Sequence, residues 1–198
     1  MEDVLIVDSG GANLASLQFA LDRLGASTCI SNVAQTVASA HRVILPGVGA
    51  ASHAMQRLQA CGLISVLRAL TCPVLGICLG MQLLFESSDE GPVKCLGVLP
   101  GAVRRLQAAP GRPVPHMGWN QLLSLEDDPL LAGVAAGAYV YFVHSFAVSA
   151  CAATLATTDY GAALTAVARH ENFWCTQFHP ERSAAVGARI LGNFLKLN

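Results

Sequence analysis

The most reactive pattern in the sequence surrounds one cysteine. Gly76-Ile77-Cys78-Leu79-Gly80 has the form G-x-C-x-G and lies between an apolar segment and a helix-like one. Glycines on both sides permit a sharp strand-to-helix turn that holds a nucleophile in a strained, accessible position. The N–H groups and positive dipole end of the following helix favour the reactive thiolate. We predict that Cys78 is a nucleophile and that the other six of the seven cysteines are small buried apolar residues.

A thiol nucleophile needs a base, and the base needs a group that orients it. His179-Pro180-Glu181 supplies both in one short segment. Residues two apart on an extended chain share a face, so Glu181 is predicted to hold the imidazole of His179 as the third member of a catalytic triad. The alternative is that this segment merely precedes the last helix, where Glu181 would favour the helix dipole.

Acyl chemistry also needs hydrogen-bond donors for a developing oxyanion. The backbone N–H of Leu79, directly after the nucleophile, is the first predicted donor. Pro46-Gly47-Val48-Gly49 follows another strand, and its glycines allow Val48 or Gly49 to present a second N–H. An ordinary structural turn is the alternative for this segment.

The first half of the chain alternates between strand and helix patterns. Such alternation requires crossover connections and predicts an α/β fold with an open, mostly parallel sheet flanked by helices. The predicted strands are 4–7, 28–31, 43–45 and 73–77, and the predicted helices are 13–24, 50–70 and one that begins just after Cys78.

The second half contains strand candidates that are closely spaced by turns. They predict a mixed or antiparallel extension of the sheet within a single domain, 1–198. The candidates are strands 98–106, 119–122, 140–148 and 152–156, a hairpin of 165–169 with 173–178, and a closing helix over 186–195.

The composition excludes several classes of function. It is 53% hydrophobic and 13% charged with a net charge of −1, so neither disorder nor a polybasic surface for nucleic acid is indicated. The cysteines form no C-x-x-C pair, the acidic start is unlike a signal peptide, and no spacing indicates a metal site, so we expect a cytoplasmic protein with reduced thiols. Segment 129–158 has no charged residue, but its β-branched and aromatic centre favours a buried strand over a membrane helix.

Three motifs together resemble the class I (triad) glutamine amidotransferases: PGVG at 46–49, GICLGMQ at 76–82 and HPE at 179–181. Within that class, the chain is most similar to the glutaminase subunits of imidazole glycerol phosphate synthases. The segments that carry this resemblance are 115–120, 141–145 and 177–183. Ser9 and Phe146 are departures, since Tyr or Thr is more usual at the first position and Tyr is frequent at the second.

The resemblance implies hydrolysis of glutamine through a Cys78 thioester, with no cofactor. It implies that glutamine is held by Gly47, Gly49, Gln82, Glu90 and the backbone of His144, Ser145 and Phe146. Glu90 would bind the α-amino group, although an exposed acidic residue in a loop is the alternative interpretation. Gln82 lies one helical turn after Cys78, so a helix would bring both to one face.

The resemblance also implies a partner, a (β/α)8-barrel cyclase that receives the ammonia. We predict that the partner docks on an apolar and aromatic surface with Trp119 as its anchor, whereas core packing is the alternative for Trp119 and Tyr141. The predicted docking residues are Asn13, Met117, Trp119 and Tyr141. Two other functions remain open: an amidotransferase subunit for anthranilate, aminodeoxychorismate or pyridoxal phosphate synthesis, and a regulatory module without turnover.

Overall fold

Strands and helices alternate through the first half of the chain, as predicted. The structure, a computed structural model, describes residues 3–10 and 14–198. Its strands are β1 (Val4–Val7), β2 (Thr28–Ser31), β3 (Val43–Gly47), β4 (Val74–Cys78), β5 (Ser87–Ser88), β6 (Val93–Lys94), β7 (Ala102–Arg105), β8 (His116–Gln121), β9 (Tyr139–His144), β10 (Phe146–Ala147), β11 (Thr154–Asp159), β12 (Ala163–His170) and β13 (Phe173–Thr176). Its helices are α1 (Leu14–Asp22), α2 (Ala34–Ala38), α3 (Ala51–Ala60), α4 (Leu63–Arg68), α5 (Leu79–Leu84) and α6 (Ala184–Phe194), with 3₁₀ turns at Pro129–Leu131 and Pro180–Arg182.

The central sheet has seven strands in the order β11-β12-β13-β4-β3-β1-β2. From β2 to β13 the neighbouring strands are parallel, and β12 and β11 continue the sheet antiparallel. The predicted open, mostly parallel sheet with an antiparallel extension is therefore confirmed. The second half also forms a four-stranded sheet, β10-β7-β5-β6, and a two-stranded sheet of β8 and β9, named here the β8–β9 ribbon.

Alternating side chains of the central strands build one core on each face of the sheet. In β1, Leu5 and Val7 pack into the core formed with α2 to α5, whereas Val4 and Ile6 pack into the core formed with α1 and α6. Strands covered on both faces are apolar at every position, because each side chain points into a core. This explains why the short runs of β1 and β3 are continuously hydrophobic.

Several predicted elements have different bounds in the structure. Segment 50–70 was expected to form one helix but forms α3 and α4, because Gly62 between them adopts a φ of 66°, in the left-handed region that ends a helix. Segment 140–148 divides into β9 and β10 at Ser145, and segment 98–106 retains only β7. β5 and β6 have two residues each, too few for a recognisable hydrophobic period.

The uncharged segment 129–158 contains β9, β10 and the start of β11, in agreement with the strand interpretation. Within residues 3–10 and 14–198, no helix is long and apolar enough to cross a bilayer. All seven cysteines are free thiols. Asn13, a predicted docking residue, lies outside the described residues.

Candidate active site

The three motifs meet because three neighbouring parallel strands end at the same edge of the sheet. β4 lies between β3 and β13. The register pairs Gly47 of β3 with Cys78 of β4, and Ile77 of β4 with Thr176 of β13. His179 follows β13 by three residues. Ligand sites of open α/β sheets form at the carboxyl ends of their strands, so the motifs occupy the expected edge.

Cys78 itself carries the backbone strain of the strand-to-helix turn between β4 and α5, named here the elbow. It ends β4 and precedes α5 with φ 55° and ψ −109°, a conformation that residues with a side chain rarely adopt. Cys78 is only 6% exposed, and it lines a cavity. The predicted strained strand-to-helix turn is thus present, with the sulfur at the floor of a cleft rather than on an open surface.

The flanking glycines are required for close packing and not for an unusual φ. Neither Gly76 nor Gly80 has a positive φ. A Cβ on Gly80 would overlap the backbone carbonyl of Leu45, and a Cβ on Gly76 would lie 2.9 Å from the carbonyl oxygen of Gly80. The glycines therefore let α5 pack directly against β3 and β4, which holds the elbow closed.

His179 and Glu181 form the predicted pair, but by a different local geometry. Nδ1 of His179 lies 2.7 Å from Oε1 of Glu181. The segment is not extended as predicted, because Pro180 begins the 3₁₀ turn Pro180–Arg182, which returns Glu181 to the imidazole.

Ser183 anchors this turn to β9. Its hydroxyl donates to the carbonyl oxygen of His179 at 2.7 Å and accepts from the N–H of Tyr141 at 2.9 Å. The N–H of His179 donates to the carbonyl oxygen of Tyr141 at 3.0 Å. On the other side, Gly187 of α6 packs so closely on Pro180 that a Cβ would overlap its carbonyl oxygen. The imidazole is therefore oriented by a turn that is held from two directions.

The surroundings of His179 favour its protonated form. Burial opposes the charge, but hydrogen bonding and negative charge from Cys78 and Glu181 outweigh burial and raise the pKa of His179 to about 10. Nε2 is buried and lies outside ordinary hydrogen-bond geometry with the described residues, so its interaction with the sulfur is looser than the bond to Glu181. A protonated imidazole beside the sulfur is the state that a proton donor to a leaving group requires.

One cavity of about 400 Å³ collects all the residues predicted for catalysis, the oxyanion and glutamine binding. Its wall contains Gly47, Val48, Gly49, Cys78, Leu79, Gln82, Glu90, His144, Ser145, Phe146, His179 and Glu181. Gly49 has a φ of 93°, so the segment after β3 uses the freedom that only glycine provides readily. Val48 beside it is exposed at the cavity mouth.

Glu90 lies in the turn between β5 and β6, but it is half-buried rather than fully exposed. Its Oε2 accepts the N–H of Ala51 at 3.1 Å, at the start of α3. Burial raises the pKa of Glu90, partly offset by this hydrogen bond. The carboxylate is thereby fixed on the cavity wall with one oxygen bonded to the backbone.

The carbonyl oxygen of Phe146 accepts two hydrogen bonds from protein groups. Nε2 of Gln82 donates to it at 2.8 Å, and Nδ1 of His144 lies 2.9 Å away. A carbonyl oxygen has two lone pairs, so both are used. The strip 144–146 therefore has no free acceptor at Phe146. Gln82, predicted to bind substrate, uses one N–H of its amide to hold this strip and the other to bond Oε1 of Gln177.

A directional chain of hydrogen bonds runs from the β8–β9 ribbon to the same carbonyl. Because the oxygen of Phe146 can only accept, Nδ1 of His144 carries a hydrogen, and its Nε2 must accept from Nδ1 of His116 at 3.0 Å. Nε2 of His116 then accepts from Nδ2 of Asn120 at 3.2 Å. Burial lowers the pKa of both histidines to about 4, so both are neutral, as the chain requires.

This chain predicts a pH-dependent stability term. The pKa of His144 falls from 6.5 in the unfolded chain to about 4 in the folded one, so its contribution is complete above pH 6.5 and is lost as the pH falls towards 4. We expect the difference in unfolding free energy between the native protein and His144→Gln to shrink by about 2 kcal/mol from pH 7.5 to pH 5. Urea unfolding of both proteins at the two pH values measures it, and an equal difference at both would contradict the neutral chain.

The outer face of the β8–β9 ribbon is apolar and exposed. Met117 is 65% exposed and Trp119 53% exposed, so core packing is wrong for Trp119, whereas Tyr141 is half-buried. The register pairs Trp119 with Tyr141 and Met117 with Val143, which places all four on one face. Tyr139, 54% exposed, belongs to the same face and was not predicted. The guanidinium of Arg182 lies 4.8 Å from the ring centre of Tyr141.

Several site residues had no assigned role in the sequence. Gln177, His116 and Ser183 are buried polar side chains. Each has a hydrogen-bond partner far away along the chain: Gln82, His144 and Tyr141, respectively. In the sequence, these residues could be noticed only as polar residues within the segments 115–120 and 177–183. A buried polar residue indicates a hydrogen bond but does not identify its partner. In the part of the chain that the structure describes, no group of His, Cys, Asp and Glu side chains is arranged to hold a metal ion.

The family model described as "Glutamine amidotransferase class-I" matches residues 5–197. The chain therefore belongs to the class I glutamine amidotransferase family.

Within that family, similar proteins include several named imidazole glycerol phosphate synthase subunit HisH. The proteins of Xanthomonas axonopodis pv. citri and Xylella fastidiosa strain Temecula1 are each 54% identical over 198 residues, covering 100% of this chain and 99% of theirs. A solved structure of a glutamine amidotransferase has the same fold, with a TM-score of 0.74 at 19% identity, covering 98% of this chain and 97% of its own.

Proposed function

We propose that this protein is the glutamine-hydrolysing subunit of an imidazole glycerol phosphate synthase. It converts glutamine and water to glutamate and ammonia, and it passes the ammonia to a (β/α)8-barrel cyclase. The observation that carries the chemistry is the meeting of Cys78, His179 and Glu181 on the wall of one cavity. The full-length similarity to the two HisH subunits supports the pathway.

In the first step, the Cys78 thiolate attacks the side-chain carbonyl carbon of glutamine. The C–O π electrons move to oxygen, and the backbone N–H groups of Leu79 and of Val48 or Gly49 stabilise the oxyanion. Protonated His179 gives its proton to the leaving nitrogen as the C–N bond breaks. Ammonia departs, and a γ-glutamyl thioester remains on Cys78.

In the second step, neutral His179 removes a proton from water, which attacks the thioester carbon. The second tetrahedral intermediate collapses with release of the sulfur, and glutamate leaves. Glu181 keeps Nδ1 of the imidazole engaged throughout, so that Nε2 faces the reaction in both steps.

Glutamine binding is assigned to groups on the cavity wall. The second oxygen of Glu90 binds the α-ammonium group, since Oε2 already accepts from Ala51. Backbone groups of Gly47 and Gly49 and of the strip 144–146 line the remaining wall. The carbonyl oxygen of Phe146 is not among the proposed contacts because its acceptor capacity is used within the protein.

The outer face of the β8–β9 ribbon is the proposed docking surface for the cyclase. It adjoins the cavity, since Val143 lies on that face and also lines the cavity. Exposed aromatic side chains at such a surface are typical anchors of an interface. Ammonia released beside Val143 would then have only a short distance to travel to the partner.

The segment after β3 is the proposed link between the two activities. Gly49 sits at a φ of 93° and Val48 is exposed, so one peptide can rotate without disturbing the core. We propose that this peptide reorients when the cyclase binds its ligand and completes the oxyanion site.

The proposal also includes a single domain of 198 residues. It includes a cytoplasmic location, in keeping with the seven free thiols.

The test measures glutamate release by the protein alone, with the cyclase, and with the cyclase and its ribonucleotide ligand. We expect little hydrolysis alone and stimulation of at least about tenfold in the full complex, the range of ordinary coupling free energies. The cyclase supplied with ammonium salt instead of glutamine is the control for partner integrity. Hydrolysis coupled to a chorismate-using or pyridoxal phosphate-forming partner, with none coupled to the cyclase, would contradict the assigned pathway.

A further inference from the structure

Gln177 is a completely buried side chain that the mechanism above does not use. It lies between β13 and His179, and its backbone N–H donates to the carbonyl oxygen of Ala166 in β12 at 2.9 Å. Its Oε1 accepts from Nε2 of Gln82 at 3.0 Å, and its Nε2 lies 3.9 Å from the sulfur of Cys78. The side-chain amide thus touches the nucleophile from the side of the core.

The orientation of this amide follows from its partners. The carbonyl oxygen of Phe146 can only accept, so the nitrogen of Gln82 must face it. The same nitrogen contacts the Gln177 amide, so Gln177 must present its oxygen there. Its nitrogen, with two hydrogens, is left to face the sulfur. The carbonyl oxygen of Phe146 therefore determines, through Gln82, that the nitrogen of the Gln177 amide faces Cys78.

The sulfur lies between two groups of opposite polarity. The carbonyl oxygen of Val143, at 3.8 Å, accepts the hydrogen of a thiol. Nε2 of Gln177, at 3.9 Å, donates to the sulfur, and a donor favours the thiolate. A hydrogen bond of this length is weak to a neutral thiol, but bonds to a charged acceptor are shorter and stronger.

We infer that Gln177 is a positioning residue that donates an N–H hydrogen bond to the Cys78 thiolate and ties the nucleophile, through Gln82, to the backbone strip at Phe146. This inference deepens the proposed function. It rests on that function, because Gln177 contributes to turnover only if Cys78 is the nucleophile of glutamine hydrolysis. It adds a second stabilising group to the sulfur besides His179. It also makes the position of the nucleophile depend on the strip that lines the cavity.

The test follows the alkylation of Cys78 by iodoacetamide between pH 5 and pH 10. The rate is measured by mass spectrometry on the peptide that carries Cys78, in the native protein and in Gln177→Met, which keeps the length but has no donor. We expect the midpoint of the pH profile to move up by about one unit in Gln177→Met, with about tenfold slower alkylation below the midpoint. Gln59→Met, an exposed position on α3, is the matched control and should keep the native profile.

A folded Gln177→Met protein with the native profile would overturn the inference. Alkylation needs no glutamine turnover, so the result stands apart from the proposed function. A native-like profile in Gln177→Met with intact turnover contradicts only the role of Gln177. Absence of coupled turnover in the native protein contradicts only the proposed function.

A second measurement covers the case in which Gln177→Met does not fold. In the native protein, the side-chain NH₂ signals of Gln177 in a ¹⁵N NMR spectrum should titrate with the same midpoint as Cys78 alkylation, and this titration should vanish in Cys78→Ala. Signals of Gln177 that do not respond to the ionisation of Cys78 would overturn the inference equally.

Discussion

Cys78→Ala is expected to reduce glutamine hydrolysis in the complex with the cyclase by at least about 10⁴-fold, because removal of a covalent nucleophile leaves only binding and oxyanion stabilisation. Alanine keeps the Cβ, so the elbow with φ 55° is retained and the fold is expected to be unchanged. The cavity keeps its shape, and glutamine should still bind.

The measurement is steady-state release of glutamate by the native complex and the variant complex. Cys61→Ala, which removes a half-buried thiol at the end of α3, is the matched control and should retain nearly full activity. Turnover by Cys78→Ala within about tenfold of the native rate would contradict the nucleophile assignment.

Gly80→Ala is expected to lower the unfolding free energy by at least about 3 kcal/mol, at the upper end of what overpacking costs. The new Cβ would overlap the backbone carbonyl of Leu45, and neither partner is the end of a flexible side chain. α5 must move away from β3, and this motion displaces Cys78 and Leu79 at the start of α5. We therefore also expect loss of glutamine hydrolysis in any protein that still folds.

Gly192→Ala provides the control for this substitution. Gly192 lies inside α6 with nothing within 4 Å of its added Cβ, so alanine should stabilise the protein by about 0.5–1 kcal/mol. Urea unfolding measures both variants. A Gly80→Ala protein as stable and as active as the native one would show that α5 does not depend on direct contact with β3.

The catalytic groups could be predicted because the residues that indicate each role lie within a few positions of one another in the sequence. A cysteine between glycines at a strand end, and a histidine two residues before a glutamate, indicate nucleophile, base and orienting group from spacing alone. Their meeting also follows from the sequence, because neighbouring parallel strands end at the same edge of the sheet. The class of fold and the edge of the sheet that carries the site could therefore be predicted from the sequence.

The supporting contacts could not be predicted, since they join residues far apart in sequence. Gln82 and Gln177 are separated by 95 residues, and His116 and His144 by 28. Local conformation also departed from expectation where one residue decides it, as Gly62 does in dividing α3 from α4 and Pro180 does in turning Glu181 back to His179. The flanking glycines of the elbow were identified correctly, but their role in packing α5 on β3 became apparent only with the position of Leu45.

The central claim is a γ-glutamyl thioester on Cys78, and trapping it is the most direct test. The complex is mixed with glutamine, quenched in acid within the first turnover, and digested for mass spectrometry. We expect the peptide that contains Cys78 to gain the mass of one γ-glutamyl group, and the gain to be absent in Cys78→Ala. Glutamate formed in the same mixtures with no modified Cys78 peptide at any quench time, or with the modification on another cysteine, would contradict the account.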